Sequence, residues 1–301
     1  MGTETKTMVR ASFAADALAL GGHWVYNAGV LAKKFGRLDS MQAPLAKTYH
    51  SNKKAGDFTH YGDQTLVLLE SVAREGRFDL AAFARDWQVL FDGYDGYFDH
   101  ATKETLTNFK NGQGPEKAGS ESTDFSGAAR IAPVVYVYRQ DQEVMIAACR
   151  AQTAMTHNDP EVVAGSEFLA RVLWHVLQGQ APTKVMATVA SEEMNNPTLA
   201  GWVSRGLESA GEETLAVIAD FGQACNIEAA FTSTVHLVAR YEQDLESALV
   251  ENVMAGGDSA ARGMAVGMLL GAWLGEAALP PAWLEQMNRT QQIDRLLAGL
   301  G

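Results

Sequence analysis

Apolar residues recur along the chain at three- and four-residue intervals, and sustained two-residue alternation is absent. That periodicity predicts helices and no sheet. Helical spacing is read over Val9 to Leu20, Ala28 to Phe35 and Thr65 to Arg74. Asp79 to Asn108 is one amphipathic stretch, and its aromatic stripe (Phe83, Trp87, Phe91, Tyr94, Tyr97, Phe98) reads as core packing. Further helices are expected from Ser126 to about Tyr138, from Gln142 to Met155, and from Glu161 to Leu177. The pattern continues over Ala181 to Met194, Leu199 to Glu208, Thr214 to Cys225, Ser233 to Tyr241 and Asp244 to Met254, and closes with Ala282 to Leu297. The expected fold is all-α: a compact orthogonal helical bundle forming one domain over residues 1–301, with no linker, tandem repeat or heptad series.

The strongest pattern lies between Val250 and Gly275, where Gly263, Gly267, Gly271 and Gly275 fall on one helical face. Glycine inside a helix costs about 1 kcal/mol against alanine. Four at one spacing therefore imply the close approach of another backbone or of a ligand. Gly256-Gly257 ends the preceding segment, and Asp258 or Ser259 is placed to cap the next helix. This turn is either a cap on a core helix or an oxygen-rich site for a metal or a sugar. Arg37 to Phe58 reads as a long loop, either a cover over a site or a surface segment.

Polar residues gather at four junctions: Asp16 with His23, Thr59 to Asp63, Ser126 to Arg130 with His157, and Asp258 with Ser259. Helix starts present unpaired N–H groups that favour anions. Any site requires these junctions to meet around one pocket rimmed by Asp258.

Composition narrows the partners. In 301 residues, 47% are hydrophobic, enough for a sizeable core, and the net charge of −12 argues against nucleic-acid backbones and anionic membranes. Cys149 and Cys225 lack metal-ligand spacing and read as reduced core residues of a cytoplasmic protein. The apolar run Met264 to Leu274 is too short to span a membrane, and MGTETKTMVR lacks a signal-peptide core. Nothing in the sequence bears on oligomeric state.

Several segments, in order, resemble those of ADP-ribosylglycohydrolases. GGDSAARGMAVGMLLGAWLG is similar to that family's C-terminal G-G-D-T-D-T motif and its small-residue helix. AADALALG resembles G-D-A-L-G, and residues 59–71 resemble T-D-D-T-x-M followed by a Leu-rich helix. FSGAARIAPV resembles N-G-S-A-M-R-I-A-P, and Thr156-His157 matches a Ser/Thr-His pair. Gly-His-Trp-Val-Tyr-Asn further resembles the branch holding selenoprotein J and the jellyfish J-crystallins.

The resemblance implies an all-α hydrolase of the bond joining ADP-ribose to an acceptor, with a Mg²⁺ pair on the T-D-D and D-x-D-T motifs. This chain departs from both motifs. Thr59 is retained, but His60 and Tyr61 stand where two Asp are expected, with Asp63 nearby. Asp258 is kept and Ser259 is tolerable, while Ala260 and Ala261 replace the second Asp and the final Thr. Two adjacent dications need several anions to hold them, so the expectation is one Mg²⁺ or none, with Thr59, Asp63, Asp258 and Ser259 as its ligands. Asp63 or Asp258 would act as base or electrostatic support, with polar assistance from His60 or His23.

Phe125 replaces the family's Asn, yet Ser126 and Gly127 could still present backbone N–H groups to a pyrophosphate. Arg130 is either a phosphate partner or part of a structural ion pair. His157 either bonds a ribose hydroxyl or caps a turn. Asp16 reads as structural, and His23 reads either as a catalytic group or as packing beside Trp24. Two functions compete: a divergent glycohydrolase acting on an ADP-ribosyl or related nucleoside substrate, and a non-catalytic, crystallin-like member of the same fold.

Overall fold

In a computed structural model describing residues 2–301, the helices Gly2–Ala19 and Ser259–Leu274 lie against each other along their length at the centre of the molecule. The glycine stripe is the reason. A Cβ built on Gly267 would lie 2.5 Å from the Ala11 carbonyl oxygen, and one on Gly271 would lie 3.0 Å from that of Thr7. At Gly263 the Ala15 Cβ is the facing atom, 3.5 Å from the added carbon. The register is therefore antiparallel, Ala15 to Gly263, Ala11 to Gly267 and Thr7 to Gly271, with four-residue steps on both helices. The close neighbour that the stripe implies is a backbone. Ser259 to Ala272 is buried on every face, as expected of a helix apolar all round.

Other helices wrap this pair. Ile227–Arg240 packs on Ser259–Leu274, while His60–Glu75 and Ala132–Val137 pack on Gly2–Ala19. One continuous apolar core runs from Met8 to Leu297. Among the described residues there is no strand, only isolated bridges pairing Ser120 with His157 and Asp124 with Asn226. No described helix is long and apolar enough to cross a membrane.

Helix starts follow the capping chemistry. Asn27, Thr59, Asp79, Asp99, Asp141, Asp159, Asn196, Asp244 and Asp258 each accept a backbone N–H within the first turn. These caps also divide stretches whose periodicity reads as continuous. The Asp79 to Asn108 stretch is two helices, Leu80–Phe91 and His100–Lys110, because the chain turns at Gly93 to Gly96 and restarts on the Asp99 cap. Ser126 to Tyr138 is likewise two, Ser126–Ala129 and Ala132–Val137, with Pro133 in the first turn of the second. The helix expected to reach Cys225 stops at Phe221, where Gly222 takes φ +105°. Cys225 is thus a loop residue.

The Arg37 to Phe58 segment contains no helix, yet it is tied down. Trp283 Nε1 donates to the Asp39 carbonyl (2.7 Å), Met41 N to Gln286 Oε1 (2.9 Å), and Asn288 N to the Gly56 carbonyl (2.9 Å). The C-terminal part of the chain therefore fixes the position of the loop.

Gly267→Ala forces its methyl into the Ala11 carbonyl and is expected to cost at least about 1–3 kcal/mol of unfolding free energy. Gly201, in Pro197–Glu208, has nothing within 4 Å of an added Cβ, so Gly201→Ala should be neutral or stabilising by up to about 1 kcal/mol. Chemical denaturation of both variants checks the pair.

Candidate functional site

Because the central helices run antiparallel, the end of the first lies beside the start of the second. Backbone pairs lock the two exits together: Trp24 N donates to Gly257 O (2.8 Å) and Gly257 N to Val25 O (3.0 Å). Trp24 adopts φ +59°, a left-handed conformation that is rare for a bulky residue. Asp258 N bonds the Gln223 carbonyl (2.9 Å), and Phe125 N bonds that of Cys225 (2.8 Å). Ser120 and Asn158 join the same knot through Ser120 N to Thr156 O (3.1 Å) and Asn158 N to Ser120 O (2.7 Å). Five separate stretches of chain thus meet at one end of the bundle.

Three buried carboxylates occupy this meeting point. Tyr61 Oη lies 3.0 Å from Asp258 Oδ2 and 3.2 Å from Asp124 Oδ2. Its single proton serves one of them, so the other contact needs a proton on the carboxyl side. Burial, and then the charges of Asp258 and Asp99, push Asp124 up to about 8, which supplies that proton near neutrality. Asp258 is raised by burial, opposed by the Arg262 guanidinium. Arg262 is itself buried, donating to the Gly256 carbonyl (2.6 Å) and to Asn252 Oδ1 (3.0 Å).

Asp99 behaves differently. Burial opposes its charge, but the hydrogen bond from His60 Nε2 (3.1 Å) and that from the Thr102 N–H (2.7 Å) hold it well below the usual carboxylate range. His157 is buried, and burial with the nearby Arg130 pushes it down to about 3, so the ring is neutral. Its Nδ1 is 2.9 Å from Thr156 Oγ1, which also accepts from Arg130 Nη2 (2.6 Å), and its Nε2 has no partner. Two groups of three donor atoms result, each group within 4.8 Å: Asp99, Asp124 and His157, and Asp124, Cys225 and Asp258.

Above the carboxylates lies a cleft of about 290 Å³, walled by Trp24, Tyr26, Tyr49 and Tyr97, with Asp99, Asp124 and Cys225 on its floor. A stack of rings backs the wall. His23 lies on Trp24 (4.4 Å between centroids), His50 on His23 (5.4 Å) and His60 on His50 (5.5 Å). His50 reaches the stack from the long loop; burial and the neighbouring His60 push it down to about 3.

The profile of the ADP-ribosylglycohydrolase family matches residues 5–300. The chain belongs to the ADP-ribosylglycohydrolase family. Its relatives include crystallin J1A of Tripedalia cystophora, 22% identical over 96% of this chain and 93% of that one. ADP-ribosyl-(dinitrogen reductase) glycohydrolase of Rhodospirillum rubrum is 24% identical over 82% of this chain and 81% of its own. A solved structure described as an ADP-ribosylglycohydrolase-related protein complex superposes with a TM-score of 0.80 at 22% identity, covering 99% of this chain and 96% of that one. That likeness supports the fold.

Within this member of the family, Asp258, His60 and His157 share the carboxylate cluster. His23 adjoins it, Nδ1 3.8 Å from Asp258 Oδ1, with neither ring nitrogen hydrogen-bonded and its pKa pushed well down by burial. Asp63 points elsewhere: its carboxylate holds Lys53 Nζ (2.5 Å) and Tyr94 Oη (2.5 Å) and belongs to neither donor group. Thr59 donates its hydroxyl to Asp16 (2.6 Å). Ser259 Oγ is buried without a partner. Thr59, Asp63, Asp258 and Ser259 therefore do not converge as one ligand set. Asp258 lies beneath the cleft, fully buried, and does not rim it.

The Ser126 to Ala129 segment is buried, and the Ser126 N–H is taken by Asp124 Oδ1 (2.8 Å). Arg130 is also buried, bonded to Gln64 and Thr156. Asp99, Asp124, Tyr61, His50 and Arg262 are site residues that periodicity passes over. An Asp followed by a new apolar run after Gly93 and Gly96 was the available signal for Asp99. Cys225, read from the sequence as core, is half-buried on the cleft floor because its helix ends early.

Asp16 anchors the helix that carries His60 and Tyr61, accepting the Thr59 N–H (2.8 Å) and its hydroxyl. Burial outweighs these hydrogen bonds and raises Asp16 to about 7. The folded protein thus holds a proton there that the unfolded chain gives up near its ordinary value. The contribution to stability is complete below that ordinary value and is lost as pH rises through about 7. Raising pH from about 5.5 to about 8 should lower the unfolding midpoint, and Asp16→Asn, which keeps an acceptor and a donor in place, should flatten that dependence. Thermal melts across pH check the expectation.

Proposed function

We propose that the chain is a divergent glycohydrolase that cleaves the glycosidic bond of an ADP-ribosyl or related nucleoside substrate. The observation carrying this reading is the set of buried carboxylates, Asp99, Asp124 and Asp258, gathered beneath an aromatic-walled cleft in a chain of this family. Three acids out of water, beside unpartnered ring nitrogens of His23 and His157, are costly to stability, and a role toward a ligand accounts for that cost.

Trp24, Tyr49 and Tyr97 offer faces and edges for base and sugar. Water adds to the anomeric carbon, the bond to the acceptor breaks, and the acceptor takes up a proton as it leaves. Asp99, held ionised by His60, places negative charge where positive charge builds on the sugar. Asp124, which carries a proton near neutrality, donates it to the departing acceptor and takes one back from the water that adds. Asp258 and Arg262 act from behind, fixing Tyr61 and the charge balance. A bound divalent ion would polarise sugar hydroxyls and acidify water. The oxygen set expected for Mg²⁺ is not assembled, since Thr59 and Asp63 are engaged elsewhere.

The alternative, a non-catalytic member akin to the crystallin relative, is favoured by one feature. Tyr61 spans Asp124 and Asp258 and neutralises part of the cluster from within the protein.

An assay for release of ADP-ribose from an ADP-ribosylated peptide, with added divalent cations, separates the readings. The wild-type protein is expected to release it, with Asp124→Asn slower by about 10²–10⁴-fold and Asp99→Asn also impaired. Absence of release by folded wild-type protein gives the chain to the non-catalytic reading.

A further inference from the structure

We infer that Asp99, Asp124 and His157 form a mixed carboxylate–imidazole site for a single transition-metal dication of the Zn²⁺ class, in place of an oxygen-only Mg²⁺ set. The three donor atoms lie within 4.8 Å of one another, each on a different segment of chain. The inference does not need the hydrolase reading, since a non-catalytic protein could hold the same ion.

An acidic pair alone would carry little. The second observation is His157, which is buried and has an unpartnered Nε2. Its Nδ1 faces Thr156 Oγ1 at 2.9 Å, and Arg130 Nη2 holds that hydroxyl at 2.6 Å. With the ring proton on Nδ1, this contact is a donated hydrogen bond, and Nε2 is left as a buried lone pair with no donor. Metal-binding histidines are oriented in this way by a partner on the other nitrogen.

The carboxylates are oriented as well. The Thr102 N–H and His60 Nε2 hold Asp99 (2.7 and 3.1 Å), and the Ser126 N–H holds Asp124 (2.8 Å). Asp99 and Asp124 also line the cleft, so the ion's remaining positions face solvent and substrate. Three protein ligands with an open side is the arrangement of reactive metal centres.

Imidazole in the set selects among cations. Mg²⁺ takes hard oxygen ligands in near-octahedral array, whereas nitrogen donors favour later transition metals. The neighbouring group, Asp124 with Cys225 and Asp258, is less open, because Tyr61 Oη already spans its two carboxylates at 3.2 and 3.0 Å.

The test is metal binding by the full chain after chelator stripping, followed by calorimetry with Zn²⁺ and with Mg²⁺ and by the visible spectrum of the Co²⁺ form. One equivalent of Zn²⁺ should bind at least about tenfold more tightly than Mg²⁺, and His157→Gln should weaken it by about tenfold or more and alter the Co²⁺ spectrum. Asp99→Asn gives a second reading should His157→Gln fail to fold, near-UV circular dichroism reporting on both. Asp63→Asn and Cys225→Ser should leave Zn²⁺ affinity unchanged. Preference for Mg²⁺, Zn²⁺ affinity indifferent to both His157→Gln and Asp99→Asn, or loss in Cys225→Ser would each overturn the assignment, whatever the outcome of the hydrolysis assay.

Discussion

The absence of one side-chain carbon at Gly267 sets the geometry of this protein. Without it, the helix backbone can close on the Ala11 carbonyl, and the repeats at Gly263 and Gly271 fix the partner helix in one antiparallel register. A shift by one residue would turn side chains into the space that the glycines leave for the Thr7 and Ala11 backbone. The register also delivers chemistry, because it brings Asp16 and the His23-Trp24 exit of one helix to the Gly256-Gly257-Asp258 entrance of the other. Backbone bonds between Trp24, Val25 and Gly257 then seal the two together.

Around that seam the chain assembles an electrostatically expensive object. Three acids lie close together out of water, and Arg262 is the buried cation whose charge eases Asp258. Hydrogen-bond donors do the rest: Tyr61 shares a proton with two of the acids, and His60 steadies the third. His60 and Tyr61 occupy positions where the family's pattern has carboxylates. The exchange lowers the negative charge and supplies hydrogen-bond donors, which makes a cluster with fewer cations tolerable. Asp63, by contrast, is drawn out to Lys53 and Tyr94.

Legibility in the sequence follows the range of the interaction. The glycine stripe, the caps and the apolar periodicity are local signals, and they mark the helices and a close approach along one of them, without naming its partner. Asp258 was visible because its own turn marks it. Asp99 was obscured by an amphipathic stretch that reads as continuous to Asn108, although the chain breaks there in space. Asp124 owes its place to a bridge with Asn226, and His50 to a loop held by residues near the C-terminus. No period along the chain encodes such pairings. The meeting of the helix starts was anticipated, but its membership depended on long-range backbone bonds.

The fastening of the long loop by Trp283, Gln286 and Asn288 has a consequence for biogenesis. His50 takes its place in the ring stack through a segment that these residues hold. A nascent chain can form its first helices early, yet the wall of the cleft stays unmoored until Trp283, Gln286 and Asn288 have left the ribosome. Completion of the pocket thereby waits on a segment made more than 200 residues after the loop it fastens.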